Sequence, residues 1–347
     1  MNYDVLVIGA GPAGAMTSQI IAKEGFSVLM VDRKKEIGIP VQCAEYIPAL
    51  LGKEVKIPDD AIAQRIKGLR VHLPDGHFYE FSSPGHILNR SIFDKYLVLD
   101  ALKYGARLWL KANFLELDKG IAVIQYQGRM VKINAQIIVG ADGPSSRVSR
   151  LINKRYNGYV VAYQNELPAI GMDEYAEVYF SKEFFGGYAW FFPKNRCANV
   201  GVGVKAGYGI NVQEVFKGFL QKLVKRGKVI DSPIRVVTGL IPVAGPVLNT
   251  VKGHILLVGD AAGQTHPITG AGIPQAIICG RYAGEAIVQA LKHGDLKLLK
   301  NYEREWQNLF QNELKRAQKK RKILEENWTN LEMVLKECWV SFPEYYE

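Results

Sequence analysis

The 347-residue sequence has only 4 cysteines, Cys43, Cys197, Cys279 and Cys338, and no two of them form a CxxC pair or a metal-ligand spacing. This predicts neither a structural zinc nor a disulfide framework, and it suits a reducing, cytoplasmic compartment. No apolar run approaches the roughly 18 residues that cross a bilayer, so the chain reads as soluble or at most peripheral. The apolar stretch Val5 to Met16 lacks a basic flank and is broken by a Gly/Pro turn, so it reads as mature structure and not as a signal peptide. Internal repeats and low-complexity segments are missing too. No helix-turn-helix, RNA-binding or zinc-finger signature accompanies the net charge of +10, which argues against a nucleic-acid partner.

What is present is enough chain and apolar material for more than one core: 347 residues, 48% of them hydrophobic, predict two interleaved domains, or one domain with a large insertion, able to enclose a cofactor. The positive charge is densest at Lys315, Arg316, Lys319, Lys320, Arg321 and Lys322, inside a predicted C-terminal helix. A solvated helical face explains such a run in the plainest way. The sharper expectation is peripheral contact with an anionic membrane surface, or attraction of a phosphorylated substrate.

The chain opens with a strand over Tyr3 to Ile8, a glycine turn, a helix over Ala15 to Lys23 and a second strand over Ser27 to Val31, which together make a βαβ unit. Pro74-Asp75-Gly76 between Leu69 to Leu73 and His77 to Phe81 predicts a hairpin. A helix over Arg90 to Tyr104 follows, then alternating strands over Arg107 to Ile133 and a buried strand at Ile137 to Val139. From Tyr159 to Val204 four strand patterns succeed one another, as in an antiparallel sheet. The expected fold is α/β: a discontinuous Rossmann-type cofactor domain (1–66, 84–158 and 246–292), an interleaved antiparallel-sheet substrate domain (67–83 and 159–245) and a helical C-terminus (293–347).

Gly9-Ala-Gly11-Pro-Ala13-Gly14 follows a strand and opens a helix, with Asp32 and Arg33 at the end of the next strand. Gly9 permits the tight turn, Gly11 lets backbone approach a pyrophosphate, and Gly14 lets helix and strand pack closely; Asp32 can accept from ribose hydroxyls. Two further buried strands run into Gly140-Ala-Asp142-Gly143 and Gly259-Asp260, again at the carboxyl end of a sheet where α/β folds bind ligands. After Asp260, the segment His266-Pro-Ile-Thr-Gly270-Ala271-Gly272 leads into a helix whose free N–H groups can face an anionic group of a ligand.

These segments, in this order, resemble the para-hydroxybenzoate hydroxylase-like flavoproteins, and the resemblance implies FAD as cofactor. It assigns Asp260 to the ribityl chain, Asp142 to the pyrophosphate region, and Arg90, in Arg90-Ser-Ile-Phe-Asp94, to a cofactor contact. Within that group, Gly38-Ile-Pro-Val-Gln-Cys43-Ala44-Glu45 and Tyr188-Ala-Trp190-Phe-Phe192-Pro193, the latter followed by Val200-Gly201-Val-Gly203, resemble the geranylgeranyl reductase family over Met1 to about Tyr302. The family usually has Cys-Gly-Glu where Ala44 stands here, and this chain is shorter at its C-terminal end, which bears on the depth of the lipid tunnel.

The resemblance implies reduction of isolated C=C bonds in a prenyl chain, with Cys43 and Ala44 beside the flavin and Tyr188, Trp190, Phe192 and Pro193 lining the substrate cavity. Period-two alternation sends Tyr188, Trp190 and Phe192 to one face of the strand and Ala189 and Phe191 to the other. An isolated alkene is a poor electrophile, so hydride delivery needs a partner proton, for which Cys43, His266 or a water they hold are the candidates. No second GxGxxG unit exists, which leaves NAD(P)H docking transiently or a ferredoxin as electron donor. The competing readings are a flavin-dependent monooxygenase or halogenase of the same fold, and a prenyl cyclase that uses flavin without redox change.

Overall fold

The structure is a computed structural model that describes residues 1–152, 158–247 and 249–347. Strand β1 (Asn2–Ile8) enters the glycine turn, α1 (Pro12–Lys23) follows, and β2 (Val28–Asp32) returns parallel to β1. The helix begins at Pro12, three residues before the expected Ala15, because proline's fixed φ and missing N–H suit the first helical position. A short strand β3 (Tyr46–Pro48) precedes the hairpin of β4 (Ile62–His72) and β5 (Phe78–Leu88). Next come α2 (Arg90–Lys103), β6 (Arg107–Leu110), β7 (Ala112–Asp118), β8 (Ile121–Tyr126), β9 (Arg129–Gly140) and one turn of helix, α3 (Ser149–Ile152).

The second half contributes β10 (Tyr159–Pro168), β11 (Tyr175–Tyr179), β12 (Ala189–Lys194), β13 (Cys197–Lys205), α4 (Val212–Lys225) and β14 (Arg235–Pro242). It then returns to the first sheet with β15 (Val251–Lys252) and β16 (Ile255–Leu257), and finishes in α5 (Ile273–His293), α6 (Lys300–Glu326) and α7 (Leu331–Cys338).

Two sheets result. The first has the order β15-β16-β9-β1-β2-β6, with β7 and β8 pairing as an antiparallel extension of β9. Its strands are buried on both faces, as their unbroken apolar runs require: Val5, Val7 and Met30 pack under α1, α2 and α5, while Leu6, Leu29 and Ile138 pack under β7 and β8. Helix α1 lies close enough on α5 that a Cβ at Gly280 would stand 2.7 Å from the Ala13 carbonyl oxygen. Thr17 Oγ1 uses that proximity to donate to the Gly280 carbonyl at 3.0 Å.

The second sheet has the order β14-β10-β13-β12-β11-β4-β5-β3. Helix α4 covers one face with Phe216, Phe219, Leu220 and Leu223, and the C-terminal segment covers the other with Leu331, Leu335, Trp339 and Phe342. This sheet departs from expectation in two ways. It is not wholly antiparallel, because β11 pairs with β4 in parallel, Tyr175 opposite Gly68; strand patterns carry no direction, and only docking of the earlier hairpin decides it. The hairpin strands also run from Ile62 to Leu88, beyond the expected 67–83, because register shifts at Ile62/Gln64 and Ile66/Gly68 break the alternation that would have marked their ends. The close of the expected 84–158 segment, residues 153–157, lies outside the described residues.

Candidate active site

The strand ends of the first sheet build a cradle. Gly9 has φ +103, and a Cβ there would lie 2.2 Å from the Ala141 carbonyl oxygen, so the turn closes directly on the strand end that carries Asp142. Behind it, a Cβ at Gly14 would meet the Gly9 carbonyl oxygen at 2.0 Å, while Ala13 is buried against Gly259. Gly11 differs, since a Cβ there would meet nothing within 4 Å. Helix α1 therefore starts at an open spot, with no side-chain cap and no acid in its first turn, and its free N–H groups fit a pyrophosphate. The carboxylate of Asp32 accepts Ala10 N–H at 2.9 Å and Lys34 N–H at 2.8 Å, and each oxygen keeps acceptor capacity for a ribose hydroxyl. Arg33 is exposed beside it.

Asp142 accepts Ser146 Oγ at 2.5 Å and Arg147 N–H at 2.7 Å, so it fixes the turn after β9, where Gly143 takes φ +77. Burial pushes its carboxyl above the ordinary range. Asp260 follows β16 and accepts Thr265 Oγ1 at 2.6 Å; burial raises its carboxyl as well, against the pull of Thr265 and of Arg90. Gly272 lies against it, at the uncapped N-terminus of α5. Gly270, at φ +68, and Ala271 complete that loop.

His266 holds the loop together. Its Nδ1 accepts the Ile268 and Thr269 N–H groups at 3.3 and 3.2 Å, which places the proton on Nε2, and Nε2 faces Glu313 Oε1 at 3.3 Å. Both ring nitrogens are thus engaged with the loop and with α6. His266, the other expected proton source, is held in place by its own loop and by Glu313 on α6.

Arg90 opens α2 and grips Asp94 with two bonds of 2.7 and 2.8 Å. Burial opposes its charge, but Asp94 and the Cys43 thiol beside it outweigh that and hold the guanidinium above its ordinary value. Burial pushes the Cys43 thiol up in turn, against the influence of Arg90. Such a thiol keeps its proton at neutral pH. Ala44, next to it, gives its carbonyl to Asn199 Nδ2 at 3.1 Å.

The aromatic strand meets this loop. Tyr188, Trp190 and Phe192 share one face, as alternation predicts, and Ala189 and Phe191 pack on α4. Pro193 follows Phe191's face, opposite Ala198, so its ring is turned away from the Trp190 side, and its expected place in the cavity lining is corrected by the same period of two. Trp190 lies over Gly201, where a Cβ would stand 2.2 Å from the indole, and a Cβ at Gly203 would meet Val160 at 2.8 Å, which explains the two glycines of β13. A narrow, largely apolar cleft runs beside it, lined by Val160, Tyr188, Ile241, Val243 and Ile268, with Gly270 and Arg321 also in its wall. Gln164 ties cleft to loop: its Oε1 accepts Trp190 Nε1–H at 2.9 Å and its Nε2 donates to the Cys43 carbonyl at 3.1 Å.

Curated relatives align along nearly all of this framework. A digeranylgeranylglycerophospholipid reductase of Methanopyrus kandleri is 39% identical over 94% of this chain and 92% of its own. The chain belongs to the geranylgeranyl reductase family. A second family member, a digeranylgeranylglycerophospholipid reductase of Methanothrix thermoacetophila, is 36% identical over 88% of this chain and 83% of its own. By sequence the chain also falls in the family described as lycopene cyclase protein, which matches residues 4–328. Among solved structures, a geranylgeranyl bacteriochlorophyll reductase-like protein of Thermoplasma acidophilum superposes with TM-score 0.86 at 28% identity, covering 99% of this chain and 97% of that one. A probable FAD-dependent monooxygenase of Pseudomonas aeruginosa shares the fold alone, with TM-score 0.71 at 17% identity over 96% of this chain and 100% of the other.

The family motif holds a residue that sequence reasoning quoted without assigning. Glu45 is 1% exposed and its carboxylate meets Lys194 at 2.6 Å, Asn199 at 2.8 Å and Arg235 at 3.1 Å. Glu166 completes the group, 2.8 Å from Arg235. The available signal was charge inside otherwise apolar strands, Lys194 after Phe191-Phe192-Pro193 and Glu166 before Leu167.

Proposed function

We propose that this enzyme binds FAD and uses it to reduce isolated C=C bonds in the geranylgeranyl chains of an isoprenoid glycerophospholipid. The observation that carries the reading is the Gln164 bridge, which joins an apolar aromatic cleft to a protonated, half-buried thiol on the loop beside Arg90. Gly9, Gly11, Ala13 and Gly14 with the start of α1 would hold the pyrophosphate, Asp32 the ribose, and Asp260, Arg90 and the Gly270–Gly272 loop the ribityl and ring portion. Asp142 and Gly143 support the cradle from behind.

FAD, when bound and reduced, supplies a hydride. The chain supplies shape and a proton: the cleft excludes water, and Cys43 Sγ gives its proton to the alkene carbon next to the one that takes the hydride. Two hydrogens are added, the C=C π bond is lost, and the electron donor gives up two electrons. The thiolate left behind is held beside Arg90 until product leaves and solvent restores its proton. NAD(P)H or a reduced ferredoxin serves as donor, and a screen of reductants separates them.

Partner surfaces follow from the same reading. Among the described residues no helix is long and apolar enough to cross a membrane. Of the basic run, Arg321 turns inward to the Pro267 and Gly186 carbonyls, while Lys315, Lys319 and Lys322 stay exposed on α6. Those three are the residues available for peripheral contact with an anionic lipid surface.

The lycopene cyclase protein match favours a second reading, cyclisation without net redox change. Incubating dithionite-reduced protein with geranylgeranyl diphosphate, and separately with a geranylgeranylated glycerophospholipid, decides by product mass. A gain of two hydrogens per double bond supports reduction, an unchanged mass supports cyclisation, and an oxygenated product would place the enzyme with the monooxygenases.

A further inference from the structure

We propose that Glu45 is the positioning residue of the reaction: its buried carboxylate clamps the Cys43 loop between α2 and the second sheet and fixes the thiol beside Arg90. The inference rests on Cys43 acting as the proton source, and it names what holds that group in place.

Glu45 has φ +72, a left-handed conformation unusual for a side chain of its size. Such a backbone persists only where surrounding bonds over-determine it. Here every polar group of the residue is committed. Its N–H points to Cys43 Sγ at 3.2 Å, and its carbonyl accepts Leu88 N–H, from the end of β5, at 2.9 Å. Its Oε1 accepts the Arg90 N–H at 3.0 Å, at the start of α2. Its Oε2 takes Lys194 from β12, Asn199 from β13 and Arg235 from β14. One residue therefore spans the helix that carries Arg90 and four strands of the second sheet, β5, β12, β13 and β14, and its own N–H sets the sulfur's direction.

The charges are matched to that task. Lys194 and Arg235 face the carboxylates of Glu45 and Glu166, so the buried group is neutral overall and the carboxylate stays ionised: burial works to raise it, but Lys194 and the hydrogen bonds of Arg90, Asn199 and Lys194 hold it below the ordinary range. Around the thiol itself stand Arg90 with its partner Asp94, Glu45, and the Tyr188 hydroxyl. Glu45's negative charge favours the protonated thiol, opposite in effect to Arg90. Position and protonation of Cys43 thus depend on the same carboxylate.

The test is Glu45→Gln in the full-length, FAD-loaded protein, read in two ways. Alkylation of Cys43 by iodoacetamide, mapped by mass spectrometry across pH, should reach its midpoint at lower pH than in the wild type, because the nearby negative charge is gone. Turnover of geranylgeranyl diphosphate should show kcat down about 10- to 100-fold with KM little changed, as displacement of a reacting group predicts. Wild-type alkylation and wild-type kcat together would overturn the proposal. Should E45Q not fold, Asn199→Ala decides: it removes the donor to Ala44 and Glu45 without changing charge, so labelling should quicken with an unmoved midpoint and kcat should fall. N199A indistinguishable from wild type in both would overturn the clamp. Labelling needs no substrate, so a wrong choice of lipid would leave it readable.

Discussion

At the scale of single residues the site combines positions that sequence chemistry dictates with positions that folding assigns. Cys43 combines a thiol kept protonated by burial with a guanidinium able to receive the thiolate, a pairing suited to giving a proton once per turnover. Replacing it with alanine should lower turnover by about 100-fold or more, the usual scale of a lost general acid; turnover equal to wild type would remove Cys43 from the mechanism. Gly11 allows a cleaner separation of folding from binding. Its φ of −75 suits any residue and its Cβ would touch nothing in the protein, so Gly11→Ala should leave the apoprotein's unfolding free energy within ~0.5 kcal/mol of wild type. FAD affinity should nevertheless weaken by about 10-fold or more, a loss of ~1.4 kcal/mol, read by flavin fluorescence titration. Unchanged affinity would mean that no phosphate approaches that backbone.

At the scale of elements the second sheet has two faces with opposite tasks. One carries Trp190, Gln164 and the Glu45 group toward the cofactor loops; the other packs on α4 and buries Glu177 between Arg70 and Lys228. Burial works to raise the Glu177 carboxyl, but His72 and Lys228 outweigh it and bring it down to about 2. A carboxyl depressed from 4.5 stabilises the fold fully above that value, and the contribution disappears as pH falls toward 2. The linkage amounts to ~3 kcal/mol for this buried group. Urea unfolding between pH 6 and pH 2.5 should show that loss in the wild type and a shallower one in Glu177→Gln; parallel curves would refute the assignment. The sequence displayed β12 and β13 clearly, since aromatic and Val-Gly alternation is strong. It did not display β3, which is three residues long, or the parallel β4–β11 pairing, because neither leaves a periodic trace.

At the scale of the whole molecule, the groups proposed to hold FAD come from residues 9–14, 32, 90 and 260–272, gathered from the carboxyl ends of three strands of the first sheet and the start of α2. Binding should therefore stabilise the entire fold and not one loop. At a free FAD concentration 100 times Kd the gain is ~2.7 kcal/mol, measurable as a raised unfolding midpoint. Hydrogen exchange should slow in all of those segments together. A purified protein that stays colourless after reconstitution with FAD, with no such stabilisation, would sink the cofactor assignment.

The sequence alone determined the glycine turn, the aspartates at three strand ends and the one-faced aromatic strand, because each depends on local backbone geometry or on a period of two. Only the tertiary structure decided that His266 serves its own loop and that Glu166, Lys194 and Arg235 converge on Glu45, beside Cys43. Those outcomes depend on contacts between residues up to 190 positions apart, the Glu45 to Arg235 separation. No local pattern records such a distance, since the energy that joins those charges exists only once the two sheets have removed them from water.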